Sequence, residues 1–434
     1  MANTQPELLA RLAAQGAMIE RLTSDSRACA PGVAFFAYPG EKADGRAHIA
    51  EAAARGAAAV LWEEEAFAWR PEWRVPNVAV RGLKQRAGAL AHEFYGRPSD
   101  SLWVCGVTGT NGKTSCSQWI AAALGRGGTR SGVVGTLGSG FPGALSALAN
   151  TTPDALEAHA LLKAMLQQGA AAVAMEVSSH GLVQGRVNGI AFDCALFTNL
   201  SHDHLDYHGS MDAYAEAKAR LFDSPGLQTA VLNLDDVAGV GLAPRLAARG
   251  GIRTIGYSLA PLTAPPTREY LAAVAIDGAS VQVDSSWGRA SATLNQLGRF
   301  NVANALGVLG CLLACGLPFG EAVALLADPA HQAFRVGELA AAQADDGALR
   351  PGVDAGDIGP AAHQLDRHDV EQMAHLVGQR PEAVAQFGLE AFQRRLLLEI
   401  GQAAVEAQAD LEIGHEGFGQ QHRGAPQPCG EPAE

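Results

Sequence analysis

Nine consecutive residues, Gly106-Val107-Thr108-Gly109-Thr110-Asn111-Gly112-Lys113-Thr114, hold the strongest chemical signal in the chain. They follow the apolar run LWVCGV and open a helix-forming stretch. Glycines let backbone N–H groups curl around phosphate oxygens, and a helix N-terminus adds partial positive charge. Lys113 supplies a point charge to β/γ-phosphates, and the Thr114 hydroxyl can reach Mg2+. Five residues separate Gly106 from Gly112 where the usual spacing has four, which makes this a variant phosphate-binding loop. The plainer alternative is a Gly-rich strand-to-helix turn that holds no ligand.

A second set is Met175-Glu176-Val177-Ser178-Ser179-His180-Gly181, at the end of the apolar run AAVAMEV. A carboxylate at the C-terminal end of a strand sits where open α/β sheets place ligands. Glu176 is therefore a candidate for holding a metal–nucleotide complex; the alternative is a structural glutamate beside a helix-capping serine pair. Gln184 and Arg186 follow, and a planar guanidinium fork suits a diphosphate or a carboxylate. The third set runs from Thr198 to Gly209 and is dense in oxygen and imidazole donors. A neutral imidazole from His204 can ligate a metal while Asp203 orients it. Zinc is a rival for so His-rich a loop, but no cysteine pair or HExxH spacing accompanies it. A solvated loop without function is the other alternative, and His202 and His208 read as bystanders. Lys218, in MDAYAEAKARLF, reads by itself as a solvated helix charge near Glu216. Cys311 and Cys315, four apart in an apolar stretch, read as core.

Such residues need a scaffold. The chain has 434 residues, about three domains at roughly 150 residues each. With 48% apolar and 18% charged residues, it is neither disordered nor collagen-like. Lys+Arg 32 against Asp+Glu 45 gives a net charge of −13, which argues against a nucleic-acid or anionic-membrane binder. The N-terminal residues lack a basic-then-apolar signal design, and no run of ~18 apolar residues occurs, so the expectation is a cytoplasmic protein without membrane insertion. Seven scattered cysteines suggest reduced thiols.

Residues 1–97 alternate short apolar stretches with helical patterns and end in the Gly/Pro loop YGRPSD, which reads as a boundary. Over 98–330, apolar runs at 102–107, 131–135, 171–177, 193–199, 229–233 and 252–257 alternate with helical windows. That pattern predicts an α/β domain with a mostly parallel sheet. Residues 269–287, broken at Asp277-Gly278, predict an antiparallel pair, and 301–316 and 321–328 predict apolar helices. Residues 331–434 differ: they contain no Ser, Thr, Asn, Lys, Trp or Tyr, and 17 acids against 7 bases give a net −10. Few β-branched residues remain there to build a sheet, so a mainly helical or disordered tail is expected, with one long helix over 390–413.

Taken together, these motifs resemble the Mur ligases of peptidoglycan synthesis, and among them the UDP-N-acetylmuramoyl-tripeptide synthetase branch, over residues ~20 to ~330. Near the N-terminus, Thr23-Ser24-Asp25-Ser26-Arg27, Pro31-Gly32, Phe35-Phe36-Ala37, Pro39-Gly40 and Ala43-Asp44-Gly45-Arg46 resemble the family's uridine-binding domain. The resemblance implies that Ser24, Ser26 and the stretch Glu41-Lys42-Ala43 contact the UDP moiety. It implies an ATP site at Gly109, Thr110, Asn111, Gly112, Lys113, Thr114 and Ser115, with Asn301 and Asn304 meeting the adenine. Asn150, Thr151 and Thr152 match the family's substrate loop, and Ser178, Gln184 and Arg186 its substrate contacts. Thr114, Glu176 and His204 would serve two Mg2+ ions, and Lys218 matches a carbamylated lysine that turns a cation into an anionic oxygen ligand.

The implied partners are UDP-N-acetylmuramoyl-L-alanyl-D-glutamate and a free amino acid, meso-diaminopimelate, joined by a monomer. The γ-phosphate of ATP would pass to the D-Glu side-chain carboxylate, and the amine would attack the resulting acyl phosphate, with Lys113, Lys218, Glu176 and His204 serving catalysis. Family members also carry a third domain marked by Gly-Arg-Met, Asp-Tyr-Ala-His-Thr-Pro and Asp-Asn-Pro-Arg. None of these occurs after Leu326, so residues 331–434 stand in its place, and a binding protein impaired in catalysis is the alternative.

Overall fold

The computed structural model describes residues 4–41, 43–294 and 298–327. Residues 331–434, including the helix expected over 390–413, lie outside the described residues, as does Lys42.

The first lobe is built on a four-stranded parallel sheet, β1 (Arg21–Thr23), β2 (Val33–Ala37), β3 (Ala59–Glu63) and β4 (Asn77–Val80), in that spatial order. Its helices are α1 (Gln5–Ala14), α2 (Ile49–Ala54) and α3 (Leu83–Phe94). Strand residues alternate between two faces. Phe36, Leu61, Val78 and Val80 pack against Leu8 and Leu12 of α1 and Leu83, Ala87 and Leu90 of α3. Phe35, Val60 and Trp62 pack on the other side against Ile49 and Ala52 of α2. Both faces are covered, which is why VAFFA and AVLWE read as unbroken apolar runs.

The second lobe continues through β5 (Trp103–Thr108), α4 (Lys113–Arg126), β6 (Ser131–Gly135), β7 (Gly138–Phe141), β8 (Ala144–Ser146), α5 (Ala155–Gln167), β9 (Ala172–Glu176) and α6 (Ser179–Val183). Then come β10 (Cys194–Phe197), α7 (Leu205–His208), α8 (Met211–Ala219), β11 (Thr229–Asn233), α9 (Val237–Arg249) and β12 (Arg253–Ser258). The last elements are β13 (Glu269–Asp277), β14 (Ser280–Ser285), β15 (Gly288–Thr293), α10 (Arg299–Ala314) and α11 (Phe319–Ala327). The strands form one sheet in the order β15-β14-β13-β12-β11-β10-β5-β9-β6-β7-β8. It is parallel from β13 to β6 and antiparallel at both edges. The antiparallel pair expected around Asp277-Gly278 is present, and β15 extends it by a third strand that the sequence pattern does not reveal.

Helices α4, α10 and α11 cover one face of this sheet through Trp119, Ile120, Leu124, Leu306, Leu309 and Leu312. Helices α5 and α9 cover the other, through Leu162, Met165, Leu242 and Leu246. Central β5 lies between β10 and β9, so the chain leaves it in one direction and later returns to its other side. Such a reversal opens a crevice at the carboxyl ends of the strands. Among the described residues no helix is long and apolar enough to cross a membrane.

Candidate functional site

Strand β5 delivers the chain into residues 109–112, and α4 begins at Lys113. Gly112 has φ of 83°, and a Cβ there would collide with the Asn304 side chain. That close approach brings α10, with Asn304 and Asn301 both buried, directly against the loop. Lys113 folds back on its own loop: its Nζ donates to the carbonyls of Gly109 (3.0 Å) and Thr110 (2.9 Å). Burial pushes its pKa down, while Glu176 and Asp203 oppose the shift. Asn111 is anchored through its N–H to Asn199 Oδ1 at 2.9 Å, and Ser115 lies in the first turn of α4.

Glu176, the last residue of β9, is fully buried beside the loop. Its Oε2 accepts from Thr114 Oγ1 (2.9 Å) and Thr136 Oγ1 (3.1 Å), and its Oε1 from the Thr136 N–H (2.9 Å). Burial raises its pKa, and the Thr136 N–H, Lys113 and the two hydroxyls work the other way. A buried carboxylate set among hydroxyls is a donor group suited to a hard cation. Thr152 Oγ1 donates to the Glu176 carbonyl at 2.9 Å and accepts from the Ser178 N–H at 3.0 Å. Thr151 Oγ1 lies 3.1 Å from Thr136 Oγ1, and Asn150 is exposed beside them. Ser178 does cap a helix, accepting from the Gly181 N–H at 3.0 Å, so the capping alternative holds for that serine while Glu176 faces the loop.

Lys218 corrects the reading of a solvated helix charge. It is 1% exposed, and its Nζ donates to the Gly109 carbonyl at 2.7 Å while lying 4.2 Å from the centre of the Tyr214 ring. Glu216 pairs instead with Arg245 at 3.0 Å. Burial, helped by the neighbouring Lys113 charge and opposed by Asp203, pushes the Lys218 amine down to about 6. It is therefore largely neutral at pH 7.

His204 occupies a left-handed conformation (φ 51°) at the start of α7, with its Nε2 3.4 Å from Asp203 Oδ2 and its ring centre 4.8 Å from that of His180. His208 has its Nε2 2.9 Å from Ser179 Oγ, and its ring packs by His180 and Tyr214. His202 is exposed.

The remaining candidates meet where the two lobes touch. Gln184 Nε2 donates to Glu41 Oε2 at 2.7 Å, and Arg186 Nε donates to Gln184 Oε1 at 2.7 Å. Arg186 also donates to the Thr152 carbonyl at 2.8 Å, linking this group to the Glu176 loop. Ser24 Oγ donates to Asp154 Oδ2 at 2.6 Å across the lobes, whereas Ser26 Oγ is turned inward to Glu51 Oε2 at 2.8 Å. The Ala43 carbonyl closes its own turn with the Gly40 N–H.

Three participants went unread in the sequence. Tyr207 donates its hydroxyl to Glu41 Oε1 at 2.7 Å and lies tilted against the His180 ring, and Thr136 grips Glu176. Tyr214 lies four residues before Lys218 on the same helix, and that i, i+4 spacing was the available signal. Thr136 has no such local mark, since strand pairing alone brings β6 beside β9.

With this geometry in view, two family models match the chain. "Mur ligase family, catalytic domain" matches residues 18–95, and "Mur ligase middle domain" matches residues 107–312. A UDP-N-acetylmuramoyl-L-alanyl-D-glutamate--2,6-diaminopimelate ligase of Nitrosomonas europaea is 46% identical over 316 residues, 71% of this chain and 60% of that protein. The protein of the same name in Pseudomonas aeruginosa is 50% identical over 305 residues, 70% of this chain and 62% of its own length. A solved structure of a ligase with that name superposes with a TM-score of 0.62 at 33% identity, covering 71% of this chain and 62% of the other. The chain thus spans about three fifths of the length of these relatives.

Proposed function

Over residues 18–312 the chain belongs to the Mur ligase family, and on that premise we propose that it joins meso-diaminopimelate to UDP-N-acetylmuramoyl-L-alanyl-D-glutamate at the expense of ATP. The observation that carries this reading is the convergence of Lys113, Thr114, Glu176 and Lys218 around one loop at the carboxyl edge of the sheet. In this proposal residues 1–97 bind the UDP end of the substrate, residues 98–330 bind ATP, and the protein works as a cytoplasmic monomer.

The donor set fits magnesium. Thr114 and Glu176 offer hard oxygens, and His204 with its Asp203 partner adds an imidazole. Magnesium held there would neutralise phosphate charge. Lys113 would exchange its two loop carbonyls for phosphate oxygens, and Asn301 and Asn304 would meet the adenine. Gln184 and Arg186 would turn their donors to the sugar-nucleotide, with Ser24, Ser26 and the 41–43 stretch at its uridine end. Asn150, Thr151, Thr152 and Ser178 would hold the peptide carboxylate in line for phosphorylation, and the amine would then displace phosphate from the acyl phosphate. Lys218 suits carbamylation: a neutral amine can add to CO2, giving a carbamate and releasing one proton. The carbamate would add an oxygen ligand beside Gly109.

Phosphate release is the test, with ATP and the UDP-linked dipeptide present and meso-diaminopimelate added or withheld. Release that requires both substrates supports the ligase. The composition of residues 331–434 favours a second reading, a protein that binds ATP and the sugar-nucleotide without joining anything. Tight binding of both with no phosphate release would select that reading.

A further inference from the structure

We propose that Cys105, Cys194 and Cys311 form a three-sulfur site for a thiophilic, three-coordinate centre, of which trivalent arsenic is the type. Cys105 on β5 and Cys194 on β10 are direct partners in register on adjacent parallel strands, and Cys311 descends on them from α10. All three are fully buried. The Cys311 sulfur lies 3.8 Å from that of Cys105 and 4.0 Å from that of Cys194, and all three sulfurs fall within 4.8 Å of one another. A central atom bonded to sulfur at about 2.3 Å, with bond angles of roughly 100° to 120°, holds three sulfurs about 3.5 to 4.0 Å apart. Both distances from Cys311 fall in that range before anything binds, and the remaining pair lies within 4.8 Å.

Two features select the occupant. A disulfide needs its sulfurs at about 2.05 Å, so one of these pairs would have to close by nearly 2 Å. Helix α10 cannot follow, because it is seated as near the sheet as glycine permits. A Cβ on Gly310 would stand 2.7 Å from Val231 Cγ1, and one on Gly307 would stand 3.1 Å from Leu196 Cδ1. A bridging atom needs no such closure. The second feature is charge. Among the described residues these three cysteines are joined by no fourth His, Cys, Asp or Glu ligand, whereas structural zinc takes four. Three thiolates around a divalent ion would leave a net negative charge in an apolar core, which is costly. Arsenous acid avoids that cost: As(OH)3 and three thiols give As(SR)3 and three waters, forming three As–S bonds and leaving no charge and no change of oxidation state.

The site lies in the same strand and helix as the phosphate loop and Asn304 but shares no residue with them, so it stands or falls independently of the proposed ligase activity. The test treats the reduced full chain with sodium arsenite for long enough to allow slow local opening. Native mass spectrometry should show one arsenic added and three hydrogens lost, and arsenic X-ray absorption should count three sulfur neighbours. Cys105→Ala, Cys194→Ala and Cys311→Ala should each weaken binding at least tenfold, while Cys315→Ala and Cys116→Ala should leave it unchanged. Loss of the adduct in Cys315→Ala would assign arsenic to the pair on one helix and overturn the proposal. So would an absorption spectrum with two sulfurs and an oxygen, or no adduct on the native chain. The absorption measurement is made on the unsubstituted chain and decides the matter even where a variant folds poorly.

Discussion

Lys113 and Lys218 donate to the same carbonyl of the phosphate loop, that of Gly109, one from α4 and the other from α8. The charge of Lys113 lowers the tendency of the neighbouring Lys218 amine to hold a proton, and for both lysines burial is the largest cause of the downward shift. Incoming phosphate would relieve Lys113, so Lys113→Ala should weaken ATP binding about 10- to 100-fold, the weight of a charge-assisted hydrogen bond. Titration calorimetry checks this, and undiminished affinity would remove Lys113 from the site. Lys218 carries a different signature. Its amine titrates near 6 in the folded chain and near 10.5 when unfolded, so between these values the unfolded state binds the extra proton and stability rises with pH. Lys218→Met removes that liability. In CO2-free buffer at pH 7 the variant should be more stable than the parent by roughly 3 to 5 kcal/mol, read from urea unfolding. Bicarbonate should then stabilise the parent alone, because only the parent can form the carbamate. A bicarbonate effect of equal size in both would exclude Lys218 as its target.

At the level of elements, the site depends on strand ends and on one helix brought unusually close. Gly112 joins the two: its positive φ turns β5 into α4, and its missing side chain admits Asn304. Gly112→Ala should cost about 1 to 3 kcal/mol through the left-handed backbone and should weaken ATP binding as well. Adding Asn304→Ala should recover the part due to collision but not the part due to φ, a non-additivity that thermal melts can read. Much of this scaffold was legible. The runs ending at Thr108, Glu176 and Phe197 are strands because their apolar residues are buried on both faces, and their ends carry the chemistry, as the pattern of a parallel sheet requires. The third strand of the edge hairpin was not legible, because GRASAT is too small and polar to register as strand; its partner β14 supplies the order. The burial of Lys218 was illegible for a related reason. MDAYAEAKA has scarcely any apolar face of its own, and what covers the lysine is Tyr214 together with a loop more than a hundred residues earlier in the chain.

The whole molecule depends on how its two lobes meet, since the uridine-end candidates lie in one and the phosphate loop in the other. Several contacts among the described residues join them. Ser24 reaches Asp154, Glu41 reaches Gln184 and Tyr207, and α3 packs through Gly88 onto the backbone of Asn188 and Gly189. Next to the third contact, His92 of α3 and His159 of α5 lie 5.3 Å apart between ring centres. His159 is fully buried, with one ring nitrogen 3.0 Å from the Asn188 carbonyl and the other without a partner. Burial pushes its pKa from 6.5 down to about 4 and also lowers that of His92. The folded protein therefore holds His159 neutral where the unfolded chain would protonate it, and stability falls as the pH drops from about 6.5 to about 4. A shift of that size corresponds to about 3 kcal/mol. Replacing His159 with Leu leaves the Asn188 carbonyl without its partner, which should cost about 1 to 2 kcal/mol at pH 7. It should also flatten the acid limb of the stability curve by most of the 3 kcal/mol, so the variant overtakes the parent at about pH 5. Urea unfolding across pH 4 to 8 reads both effects. Parallel curves for parent and variant would mean that His159 is already charged at neutral pH, and that the lobes are held together by something other than a neutral imidazole in a dry seam.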